Sequence, residues 1–320
     1  MDIQNKKRVL ISGINGFAGS HLAELLVAEG HDVHGTVRIR SDLHRIEDIK
    51  DKLTLHYVEL TDYLSVEGVI LKVRPDEIYH LAAQSTVRQS WDMPMENYMI
   101  NTLGTIHIFE SCRKLENKPA VLNVSTSEVY GMVEGPTNED TMPNPNTHYG
   151  ISKLSQDLIG RLYHKAYGLP VVTSRSFNVT GPKRSAIFAD SDFAKQIAEM
   201  EIGKREPVIK HGNLTSERDF VDVQDVVRAY VMMLRSGRYG EIFCVGSGQP
   251  RSIQFMLDTL LKLSTRKDIK DEIDPDRMRP VDTKTMQCDN TKIKSLGWEQ
   301  TISIEKSVED TLNYWREMVK

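Results

Sequence analysis

Along the first half of the chain, short apolar runs alternate with segments of helical period. Val9-Leu10-Ile11 is an apolar run ending at Gly13, and a helical pattern over 17–29 follows and stops at Gly30. A second strand is predicted over 31–37. The rhythm then repeats, with strands over 53–58, 77–81, 120–124 and 171–174 and helices over 63–73, 101–114 and 149–167. Strands that alternate with helices and read as nearly continuous apolar runs predict a doubly wound parallel sheet covered on both faces, an α/β fold. After about Phe177 the rhythm breaks up. Loops rich in Gly, Pro and charge separate shorter helices over 193–202, 223–234 and 252–263. The expected organisation is residues 1–176 as the sheet domain and 177–320 as a smaller α/β lobe for substrate, forming one compact unit without repeats or linkers.

Composition narrows the function classes. The 320 residues are 39% hydrophobic and 27% charged, an ordinary globular balance. A net charge of −4 offers no general field for nucleic acid or an anionic membrane, so any polyanionic group must be met by a local pocket. Cys112, Cys244 and Cys288 are odd in number and widely spaced, which suits neither a disulfide framework nor a metal cluster. The ten histidines show no metal-ligand spacing, and no metal is expected. There is no apolar run of membrane-spanning length and no signal-like segment before the first strand, so the expectation is a soluble cytoplasmic protein.

Gly13-Ile14-Asn15-Gly16-Phe17-Ala18-Gly19 lies between the first strand and the first helix. A dinucleotide pyrophosphate needs that placement, because glycines allow close backbone approach while a helix N-terminus offers unpaired N–H groups. The spacing is G-x-x-G-x-x-G, and the flanking strand and helix argue against a plain turn. Such a cradle makes the sheet Rossmann-type. At the end of the second strand, Thr36-Val37-Arg38 places a guanidinium where an acidic residue would bind the ribose hydroxyls of NAD, so Arg38, with Arg40 as a helper, points to the 2′-phosphate of NADP(H).

Tyr149 and Lys153 stand four residues apart in a helical segment and so share a face. The expected consequence is an ammonium beside the phenol that lowers the pKa of Tyr149, allowing it to exchange a proton with a sugar oxygen while hydride moves to or from a nicotinamide. Thr126 follows the strand over 120–124 and can hydrogen-bond the same oxygen. Glu128, two residues on, admits two readings. It is either a base that removes a proton beside a ketone and then protonates a leaving hydroxyl, or a carboxylate that only positions substrate.

With these residues assembled, the chain resembles the extended short-chain dehydrogenase/reductase family over nearly its whole length. Within it the chain is most similar to the enzymes of GDP-6-deoxyhexose synthesis, the GDP-mannose 4,6-dehydratases and GDP-4-keto-6-deoxymannose reductases. The matching segments are His80-Leu81-Ala82-Ala83-Gln84-Ser85, Phe177-Asn178, Gly212-Asn213-Leu214, Arg218-Asp219-Phe220, Arg279-Pro280 and Leu296-Gly297-Trp298. The resemblance implies that Glu59 and Leu60 border the adenine, that Ala82, Ala83 and Asn101 line the cofactor, and that Ser85 and Glu128 meet the hexose. It further implies Asn178, Arg218 and Arg279 at the diphosphate, Lys195 at the guanine and Asp282 at the ribose. It also implies a homodimer formed through the helices over 101–114 and 149–167.

Two chemistries remain open within this group. Thr126-Ser127-Glu128 is similar to the dehydratase triad, whereas 177–182, 192–197 and 218–223 are more similar to the reductase. The balance favours reduction of GDP-4-keto-6-deoxy-D-mannose at C4, with GDP-mannose 4,6-dehydration as the alternative. A non-catalytic NADP-binding protein is a third reading, opposed by the joint presence of Thr126, Tyr149 and Lys153.

Overall fold

The computed structural model describes residues 6–277 and 284–320. The chain begins β1 (Arg8–Ser12), α1 (Phe17–Ala28), β2 (Asp32–Val37), β3 (Thr54–Tyr57), α2 (Tyr63–Val73) and β4 (Glu77–His80). Next come α3 (Val87–Asp92), α4 (Pro94–Tyr98), α5 (Gly104–Arg113), β5 (Ala120–Thr126), β6 (Pro136–Thr137), α6 (His148–Tyr167) and β7 (Val171–Ser176). The later part holds β8 (Asn178–Thr180), α7 (Ala189–Glu201), β9 (Val208–His211), β10 (Glu217–Asp222), α8 (Val223–Arg235), β11 (Ile242–Val245) and β12 (Pro250–Ser252). It ends with α9 (Ile253–Leu263), β13 (Lys270–Ile273), β14 (Gln287–Cys288), α10 (Thr291–Lys294) and α11 (Ile304–Met318). Among the described residues no helix is long and apolar enough to cross a membrane.

Seven strands form the main sheet in the order β3-β2-β1-β4-β5-β7-β11, and each neighbouring pair is parallel. The strand order reverses at β1, so a crevice opens beyond the carboxyl ends of β1 and β4. Alternation along β1 sends Val9 and Ile11 into a core with Leu22 and Leu26 of α1 and Val226, Val227 and Tyr230 of α8. Leu10 faces the other way, into a core with Ile70 of α2, Ile108 and Phe109 of α5 and Tyr163 of α6.

Local chemistry sets the helix starts that matter at the site. The Thr147 hydroxyl accepts the N–H of Gly150 (2.9 Å) at the head of α6, and the Asp222 carboxylate accepts that of Gln224 (2.8 Å) at the head of α8. A third core, with Phe193 and Ile197 of α7, Met256 and Leu260 of α9 and Leu312 of α11, holds the lobe together. The small sheet β12-β10-β8 belongs to this part of the chain.

The chain does not divide in space at residue 176. α8 packs on α1, and β11 joins the main sheet beside β7, so the large sheet is finished by residues from the second half. Ile242-Phe243-Cys244-Val245 is buried along its whole length, and so short an apolar run carries no periodicity that separates it from a loop. The helix expected over 101–114 also differs. It is preceded by α3 and α4, and a five-residue π turn, Met99–Leu103, leads into α5. That wider turn carries the buried Asn101, a local irregularity of the kind found at functional sites.

The final segment is stapled to α8. Trp298 is fully buried and its indole N–H donates to the Asp225 carbonyl (2.9 Å), while the Asp225 carboxylate accepts the backbone N–H groups of Thr301 and Ile302 (3.1 and 3.0 Å). Trp298→Ala removes this anchor and leaves a cavity, and the expected loss of unfolding free energy is about 3–5 kcal/mol. Urea titration of the variant checks it, and a midpoint equal to that of the wild type contradicts the anchoring role.

Candidate active site

The glycine segment meets the end of β4 backbone to backbone. Gly13 has φ +72°, and a Cβ there would stand 3.0 Å from Ala82 Cα. A Cβ at Gly19 would stand 2.3 Å from the Gly13 carbonyl oxygen, so α1 can begin this close to β1 only with glycine. Gly16 donates its N–H to the Gly13 carbonyl (2.9 Å), which closes the turn, and Phe17 opens α1. The Asn15 side chain reaches out to donate to the Asp42 carbonyl (2.9 Å).

A buried hydroxyl and imidazole hold β4 in this position. Ser12 Oγ accepts the N–H groups of Leu81 and Ala82, each at 3.1 Å, and lies 2.8 Å from His80 Nδ1. The far side of the His80 ring meets Thr105 Oγ1 at 3.0 Å. Burial, reinforced by the Lys153 charge, pushes the His80 pKa down to about 3, so the ring is neutral. Sequence reasoning gave Ser12, His80 and Thr105 no roles. His80 lay inside a matching segment, but a single histidine at a strand end carries no signal of its own.

Thr126 ends β5 and Tyr149 opens the first turn of α6, and a hydrogen bond joins their side chains. Tyr149 is buried, and burial together with the Glu128 and Tyr230 charges holds its pKa above the ordinary phenol value, against the Thr126 bond. This corrects the expectation of a lowered value. The shared helix face is observed, but the Lys153 ammonium donates to the Val124 carbonyl (2.5 Å) and to Gln156 Oε1 (2.7 Å). Its charge is committed to β5 and to its own helix, and desolvation governs the phenol. Lys153 is itself buried, which brings its pKa down to about 8 against the raising effect of Asp157. Gln156 in turn donates to Asn123 Oδ1 (2.5 Å), an amide link absent from the sequence reading. Glu128 is half-buried in the turn after β5, and its N–H donates to Thr126 Oγ1 (3.3 Å). Tyr230 of α8 is buried, its hydroxyl 2.8 Å from Ser176 Oγ.

The remaining expected residues are spread around this centre. Arg38 is exposed just past β2, Glu59 is exposed, and Leu60 is buried. Ala82 and Ala83 follow β4 and are half-buried, while Ser85 is exposed. Asn101 does not line an open surface. It is fully buried, accepting the Gln84 N–H (2.8 Å) and donating to the Gln84 carbonyl (3.1 Å) and Ser152 Oγ (3.0 Å), so it fixes the segment after Ala83. Asn178 starts β8, in register with Phe220 of β10. Arg218 is buried on β10 and donates to the Glu217 carbonyl (2.8 Å). The Lys195 ammonium lies 3.8 Å from Glu199 and 5.5 Å from the Trp315 ring centre, on the seam between α7 and α11. Arg279 and Asp282 lie outside the described residues.

The sequence profile of the family described as GDP-mannose 4,6 dehydratase matches residues 10–311. The GDP-mannose 4,6-dehydratase sdnI of Sordaria araneosa is 30% identical over 100% of this chain, which spans 63% of that relative's length. The GDP-6-deoxy-D-mannose reductase of Pseudomonas aeruginosa is 28% identical, with 98% of this chain and 99% of the relative covered. Among solved structures, RMD from Pseudomonas aeruginosa complexed with NADPH superposes with a TM-score of 0.84 at 26% identity, covering 98% of this chain and 100% of that one.

The His80 brace predicts acid sensitivity. Above its ordinary value of 6.5 the ring is neutral in both folded and unfolded chains; below it the unfolded chain takes up a proton that the folded one refuses until about pH 3. Stability therefore falls as pH falls through that window, by about 1.4 kcal/mol per unit from this group. Denaturant unfolding of the wild type and His80→Gln between pH 7 and 4 checks the sign, the variant showing the shallower dependence. Equal slopes in the two folded proteins contradict a neutral buried imidazole.

Proposed function

The chain belongs to the GDP-mannose 4,6 dehydratase family, and from that premise we propose that it is an NADP(H)-dependent oxidoreductase that reduces the C4 ketone of GDP-4-keto-6-deoxy-D-mannose. The dinucleotide fits the cradle on a physical ground: the close approaches at Gly13 and Gly19 leave no room for a side chain and keep backbone N–H groups at the head of α1. Gly13, Asn15, Gly16, Phe17 and Gly19 would hold the pyrophosphate, Ala82 and Ala83 the adjoining wall, Glu59 and Leu60 the adenine, and Arg38 the 2′-phosphate. The P. aeruginosa structure, complexed with NADPH, supports this cofactor.

Bound NADPH supplies the hydride for a C4 carbonyl. Tyr149 gives its proton to the oxygen on that carbon, Thr126 hydrogen-bonds the same oxygen, and the Lys153 cation supports the phenolate left behind. Ser85 is assigned to the hexose, and Asn178 and Arg218 to the diphosphate. The observation that carries the reading is the buried Tyr149 phenol, which keeps its proton and is hydrogen-bonded to Thr126. A protonated phenol at the end of β5 has the proton that ketone reduction calls for.

Glu128 supports a second reading. Its charge acts on Tyr149, and a half-buried carboxylate there is suited to proton abstraction beside a C4 ketone, the first event of water loss in a 4,6-dehydratase. Stoichiometry separates the two. Purified protein given GDP-4-keto-6-deoxy-D-mannose is expected to consume one NADPH per product, and Tyr149→Phe is expected to lower kcat by at least about 100-fold. A 4-keto sugar accumulating from GDP-mannose over many turnovers without added NADPH, and abolished by Glu128→Gln, overturns the reductase reading in favour of elimination.

The same reading includes a homodimer. Met95, Met99 and Leu103 recur every four residues through α4 and the π turn, and Ile151, Leu158 and Leu162 lie along one side of the neighbouring α6. All six are exposed, and adjacent helices carrying such rows make an apolar patch suited to a second copy. The double variant Leu158→Glu/Leu162→Glu is expected to halve the mass found by light scattering while leaving the circular dichroism unchanged. A wild-type mass equal to one chain contradicts the dimer.

A further inference from the structure

Beneath the proposed proton donor lies a line of buried charge that neither the sequence reading nor the reaction above uses. Asp157 is one helical turn beyond Lys153 on α6 and is fully buried. Its Oδ2 accepts the Arg175 Nε–H at 2.8 Å, and Arg175, on β7, is equally buried. The Arg175 guanidinium also donates to the Tyr130 hydroxyl (3.0 Å), which in turn donates to the Asn138 carbonyl (2.6 Å). Tyr130 stands two residues after Glu128, at the end of the turn that bears it. The line therefore runs from the helix of Tyr149 and Lys153, through the sheet, to the turn of Thr126 and Glu128.

We propose that Asp157 and Arg175 are positioning residues for the reaction proposed above: the Asp157 carboxylate keeps buried Lys153 a cation, and Arg175 keeps that carboxylate ionised while tying it to the Glu128 turn. The argument is one of local charge. Lys153 is cut off from water, and its two hydrogen-bond acceptors, the Val124 carbonyl and the Gln156 amide oxygen, are both neutral. A buried ammonium with only neutral acceptors tends to shed its proton.

The titratable groups around it come from several elements. His80 on β4 is neutral, and Tyr149 on α6 holds its proton, with Glu128 and Tyr230 bearing on that phenol. Asp157 on α6 is the carboxylate whose charge favours the ammonium. Burial pushes Asp157 toward its own neutral form, and the Arg175 charge on β7 opposes this. Removing either member of the pair thus takes away the counter-charge of Lys153, although neither touches substrate or cofactor. A pair serving only to fasten α6 to β7 would leave the titration of Lys153 where it is.

That difference is measurable without substrate, so it is independent of whether the reductase reading stands. Protein labelled with 13C-lysine is titrated by NMR, the Lys153 resonance being identified by its absence from Lys153→Met. The wild type is expected to titrate near 8. Asp157→Asn is expected to titrate about one unit lower, with the alkaline limb of the pH–rate profile for ketone reduction moving by the same amount and Asp157→Glu restoring both. Because Asp157→Asn leaves a guanidinium unpaired, Asp157→Asn/Arg175→Gln, which removes both members of the pair, is measured beside it and is expected to show a displacement in the same direction but smaller, since the Arg175 charge no longer adds to it. A Lys153 titration at or above the ordinary lysine value in the wild type, or an unmoved titration in either folded variant, overturns the proposal. Failure of ketone reduction in the wild type with the predicted NMR shifts intact would instead count against the reaction alone.

Discussion

The contact on which the rest of the site depends is the approach of the Gly13 turn to the backbone of Ala82, where even a methyl group would be crowded at 3.0 Å. It fixes the distance between the ends of β1 and β4, the two strands between which the sheet order reverses. Everything that could bind across that crevice is measured from it. The approach is maintained from below by the Ser12 hydroxyl, which takes two successive N–H groups of the segment after β4 and is itself held by His80. A hydroxyl and a neutral imidazole satisfy those donors without placing a charge under the cradle. Asn101 does the same for the next stretch, accepting the N–H of Gln84 from inside the π turn.

Beside this neutral brace the centre is strongly polarised. α6 brings a phenol and an ammonium into a dry interior within one helical turn, and burial acts on them in opposite senses: the phenol keeps its proton more firmly and the ammonium less firmly. Under the proposed reduction the phenol has to yield its proton and the cation has to survive to meet the phenolate, so the loss of charge that burial favours at Lys153 must be opposed. The amide pair Gln156 and Asn123 and the ion pair Asp157 and Arg175 lie where they can do so. The lobe enters this economy of charge through α8, which sends Tyr230 to the neighbourhood of Tyr149 and is fastened to the C-terminal segment by Trp298.

Much of this was legible in the chain. Local signals, meaning glycine spacing, the four-residue interval between Tyr149 and Lys153 and the alternation of apolar runs with helical periods, gave away the sheet, the glycine turn and the shared face of Tyr149 and Lys153, because each depends on residues near one another in sequence. The irregular features were not legible. β11 is too short an apolar run to announce itself, and the π turn at Met99–Leu103 has no compositional signature. The partners of Asn101 were not legible either, since packing buries it and turns its amide onto Gln84 and Ser152.

The amino-acid sequence by itself determined the class of fold, the position of the glycine turn between β1 and α1 and the shared helix face of Tyr149 and Lys153, since periodicity and spacing are properties of neighbouring positions. The tertiary structure alone decided their electrical state. How firmly Tyr149 holds its proton, and whether Lys153 stands against it or against Val124 and Gln156, follows from how completely β5, α6, β7 and α8 exclude water and from which charges they bring in from distant parts of the chain. Desolvation is a sum over all the surrounding atoms, and no interval between residues records it.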